Sequence, residues 1–441
     1  MKNNVLIERL SFHNPWWHTG MVPSAFLPEF KRNIYARLYS YLQGKRAVLL
    51  KGPRRVGKTT LFYQLINTLI EEKVSPVDIC YLSFDDPILR VSLDDIFKAY
   101  EQYRGKELNK GRVYFFLDEA QFLKNWEFTV KLYVDRKFPT TFFISGSSIS
   151  LLTQKTESLA GRTVEEILFP FSFKEYLSFS APHIAASSHI KQEELFTDNF
   201  PAGLIPFSGE IKVHFANFLR EGGFPQLYSE DKDLHNRFIK EDILDKVIFR
   251  DIVELYKIRE PSYLEKIFYY LGAATSFIIN VTTISRLMGV SREVVERYIS
   301  YIEKSLLYFR LPKFSKALKE SSRSNPKGHL IDPSLANFFS ASPDQVFESL
   351  IASSLFTRSQ KNLYFWRDQI HEVDCIIKDK EIIPIEVKNS QRQEIPKNLL
   401  YIMEKNKLTR GYVVYQGEFQ IQKFRNKEVI FYPAWYFLVL C

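Results

Sequence analysis

The chain has 441 residues, 45% hydrophobic and 25% charged, which excludes a disordered or low-complexity protein and leaves room for more than one buried core. Lys and Arg number 60 against 51 Asp and Glu, giving a formal charge of +9 and a pI near 9.1, a balance that suits a polyanionic partner. Three scattered cysteines, Cys80, Cys375 and Cys441, argue against a disulfide framework or a zinc site and fit a reducing cytoplasm. The first residues, MKNNVLIERLSF, are too polar for a signal peptide, and no stretch approaches the ~18 consecutive apolar residues of a membrane helix. The expectation is a cytoplasmic protein with no membrane partner.

Residues 1–28 read as an arm. They contain Asn14-Pro15-Trp16-Trp17, whose tryptophans are expected to pack on the core rather than flank a nucleotide base. Phe30 to Leu42 reads as a helix leading into a short apolar strand, Ala47 to Lys51. Gly52 to Thr59, GPRRVGKT, fits G-x-x-x-x-G-K-[ST], and apolar residues at helical spacing follow at Leu61, Leu65, Ile66, Leu69 and Ile70. Strand, glycine-bounded loop and helix form a phosphate cradle: loop N–H groups and the helix N-terminus face the phosphate oxygens. The expected nucleotide-binding residues are Gly52, Pro53, Arg54, Arg55, Val56, Gly57, Lys58, Thr59 and Thr60. Lys58 would reach the β- and γ-phosphates of ATP, and the Thr59 hydroxyl would ligate Mg²⁺.

Ile79 to Phe84 reads as a second strand. Val113 to Glu119, VYFFLDE, is an apolar strand ending in two acids. Asp118 would hold Mg²⁺ through water, and Glu119 would polarise the attacking water. Thr141 to Ser145 is a third strand, followed by Gly146-Ser147-Ser148. A polar residue here would sense the γ-phosphate, with Ser147 the candidate and Ser145 the fallback, although a plain glycine-serine turn fits the spacing equally well. Arg162, before a short strand at 166–169, could supply transition-state charge in cis or in trans, or be an ordinary surface arginine; the trans role leaves a homo-oligomer open.

GPRRVGKTT, FFLDEAQ, ISGSS and LAGR, followed by FPFSFKEYL, resemble a bacterial and archaeal family of AAA+-like P-loop ATPases with a C-terminal domain of unassigned function. The resemblance runs nearly end to end. It implies an additional-strand parallel P-loop sheet over residues 29–175 and a helical lid over 176–258.

Gly222-Gly223-Phe224-Pro225 marks a sharp turn, and Leu234 to Tyr256 reads as one long helix. Over 259–325 the pattern changes. Ile284 to Met288, a turn at Gly289-Val290-Ser291, and Arg292 to Ser305 form a helix-turn-helix with Ser291 as N-cap, and Leu307 to Leu311 is the first strand of a wing. Arg292, Arg297 and Lys304 could face phosphates, as could Lys313, Lys316, Lys319, Arg323 and Lys327 in the wing. A basic winged helix points to DNA, probed as duplex or branched forms; a purely structural hinge is the alternative.

From 326 to 441 a helix containing Glu348 precedes strands at 363–367, 372–377 and 382–388. The last two carry Asp374 and Glu386-Val387-Lys388, so the order resembles the PD-(D/E)xK nuclease-like fold. Asp374 and Glu386 would share a divalent cation, with Glu348 nearby, and Lys388 would orient or activate a water from the same strand face as Glu386. Strand-end acids are common, and such a fold can persist as a binding module, which is favoured here over cleavage. The expected fold class is thus α/β: a P-loop core, a helical lid, a winged helix and a restriction-endonuclease-like domain. The expected function is Mg²⁺-dependent ATP hydrolysis coupled to DNA binding. An ATP-regulated switch and an ATP-gated, structure-selective nuclease are the alternatives.

Overall fold

In the computed structural model, residues 2–147, 159–187, 195–196, 202–315, 324–359 and 362–441 are described. Contacts divide the chain into two units, Met1–Leu168 and Phe169–Cys441.

In the first unit, α1 (Lys2–His13) precedes β1 (Ala47–Gly52), α2 (Lys58–Glu71), β2 (Ile79–Ser83), α3 (Leu93–Arg104), β3 (Val113–Asp118), α4 (Trp126–Asp135), β4 (Thr140–Ser147) and β5 (Thr163–Ile167). The strands are parallel, in the order β2-β3-β4-β1-β5. β1 and β3 are buried at every position, so each is a near-continuous apolar run rather than an alternation, the mark of a parallel sheet covered on both faces. β4 is inserted between the strand that feeds the glycine loop and the strand that ends in the acids. The strand predicted at 166–169 begins earlier, because pairing with β1 runs from Ala47–Thr163 to Lys51–Ile167. Aromatic side chains fill the sheet's faces, with Phe115 stacked on Phe142 and Phe116 on Phe143.

β2 is an edge strand, and the N-terminal arm covers it. Asn14 is fully buried; its amide donates to Tyr81 O at 2.9 Å and accepts from Tyr81 N at 2.6 Å. The indole N–H groups of Trp16 and Trp17 both donate to Ile79 O, at 3.0 and 2.8 Å. These side chains satisfy the backbone groups that an open edge would offer to another strand.

The second unit holds α5 (Ser208–Glu221), α6 (Pro261–Ala273), β6 (Phe277–Ile278), α7 (Val281–Met288), α8 (Arg292–Lys304), β7 (Tyr308–Leu311), β8 (Lys327–Leu330), α9 (Pro343–Ser359), β9 (Leu363–Arg367), β10 (Glu372–Lys378), β11 (Ile382–Lys388), α10 (Lys397–Lys405), β12 (Arg410–Tyr415), β13 (Gln420–Phe424), β14 (Lys427–Pro433) and α11 (Ala434–Leu440). The segment predicted as one helix to Tyr256 is helical from His235, but it bonds in the wider π pattern over Ile239–Leu244 and Lys246–Val253. A small antiparallel sheet has the order β6-β8-β7, and a mixed six-stranded sheet the order β13-β14-β12-β11-β10-β9. Contacts run straight across position 326, where the sequence suggested a boundary. β8 pairs with β7, and Phe314 N donates to Phe365 O at 2.6 Å, tying the end of β7 to β9. On one side of the large sheet, Val373, Ile376, Val413 and Phe431 pack with Leu399 and Met403 of α10.

The Gly222-Gly223 turn sits on Asp332. Gly223 N donates to Asp332 Oδ2 at 2.7 Å, and Phe171 N donates to Gly223 O at 2.7 Å. Gly222 has φ +78° and ψ −164°, and a Cβ there would meet Asp332 Oδ1 and, at 2.6 Å, the Ser334 Cβ. Gly222→Ala is therefore expected to cost about 3 kcal/mol, from strain and overpacking together. Urea unfolding measures it; a loss below about 0.5 kcal/mol would mean that the turn relaxes freely.

Candidate functional site

β1 runs straight into the loop because its last residue carries no side chain: a Cβ on Gly52 would meet the Leu168 carbonyl. Gly57 then takes φ +96°, a left-handed conformation that opens the helix N-terminus at Lys58. The Lys58 side chain is buried, and its ammonium donates to Gly52 O at 3.0 Å and Pro53 O at 2.7 Å. Arg54 and Val56 are buried, Arg55 is exposed, and Thr59 and Thr60 are half-buried on the first turn of α2. Arg32 holds the loop from below, its Nη1 donating to Val56 O at 2.9 Å. Sequence alone gave no signal for Arg32, which lies 24 residues from Val56.

Asp118 gathers three hydroxyls. Thr59 Oγ1 donates to its Oδ2 at 2.6 Å, Tyr81 Oη donates to the same oxygen at 2.9 Å, and Ser145 Oγ donates to Oδ1. Burial and the neighbouring Glu119 charge push the Asp118 carboxyl up, while the Ser145, Thr59 and Tyr81 hydroxyls oppose them. A hydroxyl and a desolvated carboxylate side by side are the oxygen donors that Mg²⁺ takes, so this pair fits the ion. Glu119 has φ +54°; its N–H donates to Ser145 Oγ at 3.4 Å, and its carboxylate accepts from Gln121. Lys58, Thr59, Asp118, Glu119 and the fallback residue Ser145 are thus in one place. Ser147 ends β4, and its side chain lies outside the described residues. Arg162 pairs with Asp135 at 2.5 Å, its side chain about a third exposed, and is not brought to Asp118.

In the second unit, α7 and α8 meet at Gly289, whose φ is +68°. Ser291 caps α8 by accepting from Val294 N at 3.4 Å. Arg292 and Arg297 are exposed on α8, beside the exposed acids Glu293 and Glu296. Lys304 instead lies against the stacked rings of Tyr256 and Tyr301, 5.6 and 5.9 Å from their centroids. Lys313 lines an open cleft of about 340 Å³ with Arg367 and Lys405, two cations that the sequence pattern did not single out. Lys316, Lys319 and Arg323 lie outside the described residues.

Lys327 stands on β8, paired with β7, but its side chain turns inward and faces no phosphate. It is buried, with its ammonium 2.6 Å from Glu348 Oε1, 2.6 Å from Glu372 Oε1 and 3.3 Å from Asp374 Oδ1. The first contact is an ion pair by distance, without hydrogen-bond alignment. Asp374 Oδ2 accepts from Val387 N at 2.8 Å, so β10 and β11 bring Asp374 alongside Glu386. Lys388 Nζ lies 2.7 Å from Glu386 Oε1, while Glu386 Oε2 is buried without a partner. Burial first, then the Asp374 charge, push Glu348 and Glu386 each up to about 8. Among the described residues no group of three or more His, Cys, Asp and Glu side chains is disposed to hold a metal. Of the carboxylates expected around a metal, Glu348 and Asp374 flank Lys327 and Glu386 pairs with Lys388, so each already has an ammonium group where a cation's charge would act.

A glycine loop entering a helix, and a strand inserted between the loop strand and the acid strand, define a P-loop fold of the AAA+ type. Residues 44–177 match the family model of an AAA domain. Residues 213–345 and 344–436 match two domains of unknown function, DUF8612 and DUF4143. The chain is 28% identical over 352 residues to "Uncharacterized protein MJ1544" of Methanocaldococcus jannaschii, covering 76% of this chain and 74% of that protein. An "Uncharacterized protein" of Haemophilus influenzae is 22% identical over 313 residues, covering 69% of this chain and 72% of its own length. Among solved structures, the Aeropyrum pernix ORC2 protein in its ADPNP-ADP complexes covers 76% of this chain and 96% of that chain, at 13% identity and a TM-score of 0.38. An overlay that loose carries no argument about this chain. Among the described residues no helix is long and apolar enough to cross a membrane.

Proposed function

We propose that the chain is a Mg²⁺-dependent ATP hydrolase coupled to DNA binding through a winged helix at 259–325 and a C-terminal domain of nuclease-like fold. The contact of Thr59 Oγ1 with Asp118 at 2.6 Å, with Glu119 next in sequence, carries this reading. Lys58 turns from the loop carbonyls to phosphate oxygens, and the loop N–H groups hold the rest of the phosphate chain. Thr59 and Asp118 would hold Mg²⁺, which would supply charge neutralisation on the phosphate chain. Glu119 orients the attacking water, and its bond with Gln121 holds the carboxylate until that water arrives. ATP hydrolysis measured without nucleic acid, and then with duplex, single-stranded and branched DNA, tests the coupling. A rate that rises with one DNA form supports it. A rate unchanged by all of them leaves an ATP-regulated binding switch.

The exposed Arg292 and Arg297 and the Lys313-Arg367-Lys405 cleft support contact with phosphates. If α8 makes two such contacts, replacing Arg292 and Arg297 by alanine should weaken duplex binding and flatten the slope of log K against log salt by about 2. An unchanged slope would move the contact off α8. Cleavage is the reading that the cluster supports least, because Lys327 and Lys388 already pair with Asp374 and Glu386, the two carboxylates expected to share the metal. Metal-dependent nicking that is lost in Asp374→Ala would restore the nuclease.

A further inference from the structure

We propose that Tyr81 is a positioning residue for Asp118, and that the N-terminal turn Asn14–Trp17 sets it in place. The inference rests on the Mg²⁺-ATP reading above. It concerns a residue outside the loop and the two-acid strand end.

Tyr81 lies on β2, on the far side of β3 from the glycine loop, and is 3% exposed. Its hydroxyl donates to Asp118 Oδ2 at 2.9 Å, the oxygen that also accepts from Thr59 at 2.6 Å. Thr59 can keep that bond through its hydrogen while an oxygen lone pair stays free for a metal ion. Tyr81 and Ser145 are two further donors that fix the carboxylate, one on each oxygen. A carboxylate fixed from both sides presents its remaining lone pairs in one direction. That preorganisation raises affinity without any new contact.

The backbone of Tyr81 is itself gripped on its open edge. Asn14 closes a two-bond ring with Tyr81 N and O, and its Nδ2 also donates to Leu10 O at 2.7 Å, so the amide is tied to α1. Trp16 and Trp17 hold Ile79 two residues away. Asp86, just beyond the end of β2, bonds His13 at 3.0 Å and also Arg9. The ring of Tyr63 packs on Tyr81 with centroids 5.0 Å apart, which holds the Tyr81 ring in place. The arm therefore acts on the acid through one tyrosine.

Tyr81→Phe keeps the ring and deletes the hydroxyl. In the full chain, binding of a fluorescent ATP analogue is measured across a Mg²⁺ titration and, separately, in EDTA, with the melting temperature recorded. The expected result is a half-saturating Mg²⁺ concentration raised about tenfold, the effect of losing one hydrogen bond to a charged group. Metal-free nucleotide affinity should stay at its wild-type value, so that the loss is confined to the Mg²⁺ response. Asn14→Ala should shift the Mg²⁺ response the same way; if that variant fails to fold, Tyr81→Phe decides alone. An unchanged Mg²⁺ response in Tyr81→Phe overturns the inference. So does an equal loss of binding with and without Mg²⁺, which marks a merely structural tyrosine. A wild-type chain with no Mg²⁺-dependent nucleotide binding would fail at the ATPase reading itself, and this inference would fall with it.

Discussion

Lys58→Ala is expected to abolish ATP hydrolysis, and Glu119→Gln to keep nucleotide binding while slowing turnover by about 10²–10⁴-fold, the range for loss of a positioned acid–base group. The two variants separate two roles. Lys58 is buried and donates to two loop carbonyls, so alanine removes both the phosphate clamp and the group that closes the loop. Binding should therefore fall along with rate. Glu119 sits beyond the end of β3 in a left-handed conformation, and glutamine preserves its size and its contact with Gln121 while removing the charge that draws a proton from water. Steady-state hydrolysis and equilibrium binding, measured on the same preparations, distinguish them. Wild-type turnover in both variants would end the P-loop ATPase interpretation.

The loop was legible because its determinants are local. Two glycines, a lysine and a threonine within nine residues, between a strand and a helix, need no distant partner to be recognised. The β3 acids were legible for the same reason, as was the place of β4 between the two functional strands once both had been found. Tyr81 was not legible. It stands 37 residues from Asp118, and a tyrosine on a buried strand looks like core in any pattern of apolar residues. Asn14 is similar: its partners are backbone groups 67 residues away, which leave no trace in side-chain spacing. β13 escaped because Gln420-Ile421-Gln422-Lys423-Phe424 alternates on a mostly exposed edge and offers no apolar run. Lys327 was misplaced for the opposite reason. It follows several basic residues and takes their character by proximity, whereas its acids stand 21, 45 and 47 residues further on. Net charge along a short stretch says where a solvated patch could be. It does not say which of its members the fold will take inside.

Lys327→Met is expected to destabilise the second unit by about 3–5 kcal/mol, because it removes one member of a buried ion network and leaves the others uncompensated. The methionine fills much of the space of the lysine stem, so little of the loss should come from a cavity. What is lost is the ammonium that holds Glu372 at 2.6 Å and Asp374 at 3.3 Å and ties β8 of the small sheet to β10 of the large one. The same substitution should uncover a cation site. With the ammonium gone, the carboxylates of Glu348, Glu372 and Asp374 repel one another, with Arg367 still 3.6 Å from Glu372. A divalent ion would relieve that repulsion and would recover part of the lost stability by binding only the folded chain. Urea unfolding with and without Mn²⁺, on nucleotide-free protein, measures both effects. The wild type should show no Mn²⁺ response at this cluster, Lys327→Met should show one, and adding Asp374→Asn should abolish it. Mn²⁺ binding to the wild type that Asp374→Asn removes would show that the lysine yields to metal, and would return this domain to the nucleases.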